Sequence, residues 1–156
     1  MKDDISWFLI GLLTAGLIAA AVGDWRNRII PNELNGAIAL LALPFWWANG
    51  LLLWPDAALQ VAVASLTLMV FCVPFRFGWM GGGDVKLLGA LALWLPWGAT
   101  LYLVAIMSLA GGVLTLVMAL AHHLSKSVGK PEIPYGIAIA FAGLWLIGER
   151  FLNQFV

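Results

Sequence analysis

The sequence predicts an all-α fold, a single polytopic bundle of about six transmembrane helices. Three observations carry that prediction. Of 156 residues, 63% are hydrophobic and only 10% charged, with a mean hydropathy of +0.97; a soluble domain averages about 25% charged residues. Apolar runs recur between Pro, Gly and charged punctuation, most of them near the ~20 residues that a bilayer-crossing helix needs. The basic residues sort onto alternate connections between those runs, as membrane topology requires.

Residues 5–22 form the first run. Ala19 and Ala21 match a signal-cleavage pattern, but the acidic start Lys2-Asp3-Asp4 and the length of the run favour a retained membrane helix. The second span covers about 34–54 and the third about 57–75. The fourth begins near Asp84 and is short, reaching only Leu95 before "LWLPWG" at 93–98. It is expected to tilt, to extend back through the preceding glycines, or to sit in a thin or wet region. The fifth covers about 99–121 and the sixth about 135–152. Arg26, Arg28, Arg76, Lys86, Lys126 and Lys130 fall on one side, Lys2 and Arg150 on the other. That asymmetry places the 1–2, 3–4 and 5–6 connections in the cytoplasm and both termini outside it. Trp7, Trp25, Trp54, Trp79, Trp94 and Trp97 lie near span ends and are expected to form an aromatic belt. With no repeat, linker or low-complexity tract, residues 1–156 read as one integral membrane domain.

Several functions are excluded at this level. Net charge is zero and the bases are scattered, so there is no nucleic-acid footprint. The single cysteine, Cys72, can form neither an intrachain disulfide nor a CxxC zinc pair and is expected to be a buried small hydrophobe. His122 and His123 are adjacent, about 100° apart on a helix, and make a poor chelating pair. No metal or other cofactor is expected, and membrane lipid is a partner by default. Oligomeric state is not legible.

Two aspartates stand out because the topology places them at the cytoplasmic ends of spans. Asp24 closes the first span in "VGDWRNRIIPN", and Asp84 opens the fourth in "GGGDVKL". The other acids lie at the terminus (Asp3, Asp4), in an outer turn (Asp56), beside Arg150 (Glu149) or in cytoplasmic loops (Glu33, Glu132). Taken singly, Asp84 caps a helix after Gly81, Gly82 and Gly83, and Asp24 pairs with Arg26 or Arg28. Taken together, two carboxylates at one membrane depth can share a proton, because like charges a few ångströms apart do not both ionise easily. One then donates a proton while the other activates water, which is the division of labour in acid–base amide hydrolysis. The glycines are expected to leave a gap through which a substrate backbone approaches Asp84. Lys86 points to a different helical face from Asp84; it is expected to shape the local potential or to reach lipid phosphate. In "IIPN", Pro31 is suited to starting the next helix and Asn32 follows it. In "IPYG", Pro134, Tyr135 and Gly136 open the last span.

Together these residues resemble the type IV prepilin peptidases, polytopic aspartic proteases of the GxGD class. Asp24 followed by "RIIPN", then "GGGDVKL", then "IPYG" covers nearly the whole chain in order. The resemblance implies catalytic roles for Asp24 and Asp84, and site-shaping or substrate-binding roles for Gly81, Gly82, Gly83, Lys86, Pro31, Asn32, Pro134, Tyr135 and Gly136. It implies a substrate: a prepilin or pseudopilin, with a short basic leader ahead of an apolar helix, cut at the cytoplasmic face of the inner membrane. Bifunctional members carry a methyltransferase region between the first two spans, often with paired CxxC motifs. Here that loop is about a dozen residues. The chain is thus similar to short, peptidase-only members such as those serving tight-adherence pili, and N-methylation is not expected.

Other readings stay open at this stage. Presenilin-type GxGD proteases share only the GxGD; their Pro-Ala-Leu element is absent and Asp24 follows Gly23 rather than Tyr. An archaeal prepilin peptidase fits the motifs as well as a bacterial one. A small transporter or proton-conducting protein would use intramembrane acids, though deep within spans and in repeated halves. A non-enzymatic assembly factor would place no joint demand on Asp24 and Asp84.

Overall fold

A computed structural model describes residues 2–125 and 133–152. Lys126, Lys130 and Glu132 lie outside the described residues, as does the side chain of Arg150. Six α-helices occur among the described residues: α1 (Lys2–Asn27), α2 (Asn32–Ala48), α3 (Ala58–Arg76), α4 (Gly82–Ala92), α5 (Trp97–Ser125) and α6 (Tyr135–Leu152). Each expected segment contains one helix, but the second, expected to reach residue 54, ends at Ala48. Three stretches are long and apolar enough to cross a membrane: Lys2–Asn27, Leu53–Arg76 and Trp97–His122. A fourth apolar helix, Tyr135–Glu149, is shorter.

Local chemistry sets the ends of these helices. α1 stops where Arg28 takes a left-handed φ of 56°, and Pro31 then stands in extended conformation directly before α2. Proline lacks the N–H that a helix interior needs, so it marks a start rather than a continuation. Pro96 separates α4 from α5 and Pro134 precedes α6 in the same way.

The short fourth segment is the centre of the bundle. α4 begins at Gly82, reaching back through two of the three glycines. Asp84, Val85 and every residue from Leu87 to Ala92 are buried. Eleven helical residues rise only about 16 Å, roughly half the ~30 Å hydrocarbon core. Such a helix avoids lipid because α2, α3 and α6 pack around it. An apolar surface on all sides is what a fully enclosed helix requires.

Glycines set the close approaches. A side chain at Gly143 of α6 would sit 3.0 Å from Leu17 of α1 and 3.3 Å from Leu91 of α4. Gly16 of α1 faces Ile38 of α2, and Gly89 of α4 faces Leu68 of α3. Helices in lipid gain little from water exclusion against one another and rely on tight van der Waals packing at small residues.

Two expectations are corrected here. Trp94 does not join an aromatic belt: it is 3% exposed, its ring lies 4.8 Å from that of Phe45, and its indole N–H donates to the Ile38 carbonyl at 2.9 Å. It follows α4 into the interior, where a polar ring atom must find a partner. Trp7, Trp25, Trp54, Trp79 and Trp97 are exposed. Cys72 is exposed as well. The inward stripe of α3 runs through Gln60, Ala64 and Thr67, a spacing that next falls at position 71 and turns Cys72 outward.

Gly143→Leu is expected to lower stability by about 1–3 kcal/mol through overpacking. Gly112→Ala, where no atom lies within 4 Å, is expected to keep it or raise it by up to about 1 kcal/mol through helix propensity. Thermal unfolding in detergent, followed by circular dichroism, checks both.

Candidate active site

Asp24 is the last member of a core stripe. The buried face of α1 comprises Leu9, Leu13, Leu17, Ala20 and Asp24, spaced by three or four residues. The periodicity that buries the leucines therefore carries Asp24 inward in the final turn, where it is 4% exposed. Asp84 lies in the first turn of α4 and is 6% exposed. Its Oδ2 accepts the Gly81 N–H at 3.2 Å, the reaching-back half of a capping box. Gly81 has no side chain to supply the reciprocal half. Asp84 is thus a helix cap, and it also faces the bundle interior.

The first turn of α6 brings the two acids together. α6 packs on both α1 and α4, and Gly136 in its first turn stands against the Asp24 carboxylate and against Ile30. Ile30 in turn lies on Gly83, the residue before Asp84. Backbone N–H groups at a helix start favour negative charge. A side chain at Gly136 would come within 2.8 Å of Asp24 Oδ2 and 2.7 Å of Ile30 Cδ1, so only glycine brings its amide so near. Asp24 Oδ2 is buried without a hydrogen-bond partner.

Arg28 completes the surroundings of Asp24. Its guanidinium acts on that carboxylate and stacks over the Trp25 ring at 6.0 Å, while its Nη1 is buried and unpartnered. The left-handed backbone of a non-glycine residue costs roughly 1–2 kcal/mol, and such strain gathers at functional sites.

What lies against the glycine run differs from the expected gap. Gly83 meets the chain's own Ile30, whose backbone oxygen would stand 3.1 Å from an added Cβ. Gly82 meets the Phe75 ring and Gly81 the carboxylate of Asp84. Residues 28–31 must turn sharply between α1 and α2, and the missing side chains at 83 and 136 give that turn its room.

The other expected site residues divide. Pro134 is fully buried behind Gly136, and Tyr135 lays its ring on Gly111 of α5, which serves helix packing. Pro31 is exposed. Asn32 and Lys86 meet on the exposed side, where Lys86 Nζ donates to Asn32 Oδ1 at 2.7 Å. Sequence reasoning passes over Asn35, which is 4% exposed and donates from Nδ2 to the Gly83 carbonyl at 3.1 Å. Its signal is its place three residues after Asn32, on the same helical face. Ile30 is likewise visible only once the turn is folded, whereas Arg28 is one of the two partners that the sequence suggests for Asp24. Among the described residues no cluster of three or more His, Cys, Asp or Glu could hold a metal ion.

A helical membrane protein with two buried carboxylates, one in the last turn of α1 and one in the first turn of α4, is the class that fold and site define. The chain belongs to the type IV leader peptidase family, whose model matches residues 11–116. It is 31% identical over 141 residues to a prepilin leader peptidase/N-methyltransferase of Aeromonas salmonicida (strain A449), covering 86% of this chain and 46% of that protein. Identity to the protein of that name from Neisseria gonorrhoeae is 30% over 148 residues, 91% of this chain and 49% of the relative. For the one from Dickeya chrysanthemi it is 33% over 137 residues, 85% and 47%. The chain thus spans about half the length of the curated relatives it matches. No solved structure matches it.

Gly83→Ala forces a methyl against the Ile30 backbone and is expected to cost about 1–3 kcal/mol. Gly82→Ala meets only the edge of the exposed Phe75 ring, which can rotate away, and is expected to cost less. Thermal unfolding of the two variants side by side checks the order.

Proposed function

We propose that this chain is an aspartic endopeptidase that removes the short basic leader from prepilins or prepilin-like proteins. The observation that carries the proposal is the burial of Asp24 and Asp84 at helix ends that meet the same residue, Ile30, which lies against Gly83 beside Asp84 and against Gly136 beside Asp24, in a chain of the leader peptidase family. Two carboxylates so placed share one proton, since both do not ionise easily. The ionised member takes a proton from water as the water oxygen attacks the scissile carbonyl carbon. The protonated member donates a hydrogen bond to the carbonyl oxygen. Collapse of the tetrahedral intermediate breaks the C–N bond, and the amine leaves with a proton from the dyad. The backbone amides at the start of α6 supply fixed positive potential near the negative charge.

The substrate class follows from where the pair stands. Charge asymmetry supports a cytoplasmic position for the Asp24 and Asp84 ends of their helices, and the inner membrane is the setting proposed. A substrate with an apolar helix and a basic leader would enter sideways from lipid, with its junction level with the pair. Only four residues, 28–31, separate α1 from α2. That connection is too short to hold the methyltransferase region of bifunctional members, so leader removal without N-methylation is the activity proposed.

Purified protein in detergent, given a chain with a basic leader ending in Gly ahead of about 20 apolar residues, tests the proposal. Asp24→Asn and Asp84→Asn are each expected to abolish leader release, while the variants still accumulate in membranes. EDTA is expected to leave cleavage unchanged, because a carboxylate pair needs no metal. Full cleavage by both single variants, or activity lost to EDTA and restored by zinc, would sink the assignment.

A further inference from the structure

We infer that Asn35 is a positioning residue: its side-chain amide ties α2 to the first turn of α4 and fixes where Asp84 stands relative to Asp24. The inference rests on the dyad reading above and deepens it. Gly83, whose carbonyl takes the Asn35 hydrogen bond, is the residue directly before Asp84. Lys86, two residues after Asp84, is bonded to Asn32. Two tethers from one face of α2 therefore bracket the aspartate. Those two tethers differ in kind. The Lys86–Asn32 pair is exposed, where water replaces a lost bond, and a flexible lysine stem sets no position closely. Asn35 is buried, has a short rigid side chain, and bonds to backbone.

The other end of the linkage is equally short. Asp24 is followed by the last turn of α1, then by residues 28–31, then by α2. From Asp24 through that turn to Asn35, and across one hydrogen bond to Gly83, the two acids are joined without a flexible segment. α1 and α4 otherwise communicate through α2 and α6, each of which packs on both. The tether sits on the α2 side of α4, and the Gly136 amide on the α6 side.

The state of the amide itself points to a role beyond packing. Asn35 Oδ1 is buried without a partner, a condition that native structures seldom accept without reason. An apolar side chain of similar size would fill the space and leave no unmet acceptor. Keeping Asn there retains the N–H donor toward Gly83. Placement matters at this scale because a shift of about 1 Å at reacting groups can cost ~100-fold in rate.

The test compares Asn35→Leu, Asn35→Ala and Gly36→Ala, using the leader-bearing chain described above and measuring kcat and KM separately. Asn35→Leu keeps the size and removes the donor. Gly36→Ala alters the neighbouring position, where no atom lies within 4 Å. Both Asn35 variants are expected to lose roughly 10- to 100-fold in kcat with KM within about twofold, and with α-helical content retained. Gly36→Ala is expected to keep the unmodified kcat. Either Asn35 variant with kcat within twofold of the unmodified protein overturns the inference. So does a loss that appears only as failure of both variants to fold, which would make Asn35 a purely structural residue. Asp24→Asn and Asp84→Asn run alongside. If they still cleave, the dyad reading has failed; if they are dead while Asn35→Leu is fully active, only the Asn35 inference has.

Discussion

The structure around the two acids depends on position 136 having no side chain. Burying even one carboxylate is unfavourable unless polar groups replace the lost water, and this chain buries two. The start of α6, with the positive potential of its backbone N–H groups, comes against Asp24 only because Gly136 presents hydrogen where another residue would present a methyl. The same vacancy seats Ile30, and through Ile30 the turn that joins α1 to α2. Placement of the acids, packing of the last helix and the path of the first loop are one geometrical solution.

That solution explains why α4 is short and central. A full-length span carrying Asp84 would stand alongside its neighbours, with part of its surface in lipid. An eleven-residue helix enclosed by α2, α3 and α6 gives Asp84 a protein environment on every side. Glycines at 83 and 89 let the turn and α3 close around it, and Gly143 lets α6 do so. The three-glycine run serves the fold in two ways. It lets the helix begin sharply enough for Asp84 to cap it, and it leaves the backbone bare where Ile30 crosses.

Much of this is legible in the sequence, for identifiable reasons. The six segments are visible because apolar runs interrupted by Pro, Gly and charge have few alternatives in a membrane. Asp24 and Asp84 stand out because intramembrane acids are rare, and because charge asymmetry places them on the same side. What sequence reasoning misses is set by tertiary contact. Asn35 looks like any polar residue in a first turn until Gly83 arrives across from it. Trp94 reads as a belt residue because its distance from a span end is right, yet α4 carries it inward. Cys72 reads as buried because its run is apolar, although a helix in lipid shows apolar residues outward too. The glycine run reads as an opening because glycine is small; whether a small residue leaves space or admits a neighbour is decided only by the fold.

The four residues between α1 and α2 have a mechanical consequence. Long surface loops move by themselves in nanoseconds to microseconds. A connection this short, with Ile30 lodged against two other helices, has no slack of its own. Any displacement of Ile30 is a displacement of the helix ends on either side, carrying Asp24 on one and Asn35 on the other. Access to the carboxylates along that edge therefore runs at the pace of whole helices sliding, in microseconds to milliseconds, and the stiffness of the site is the stiffness of the bundle.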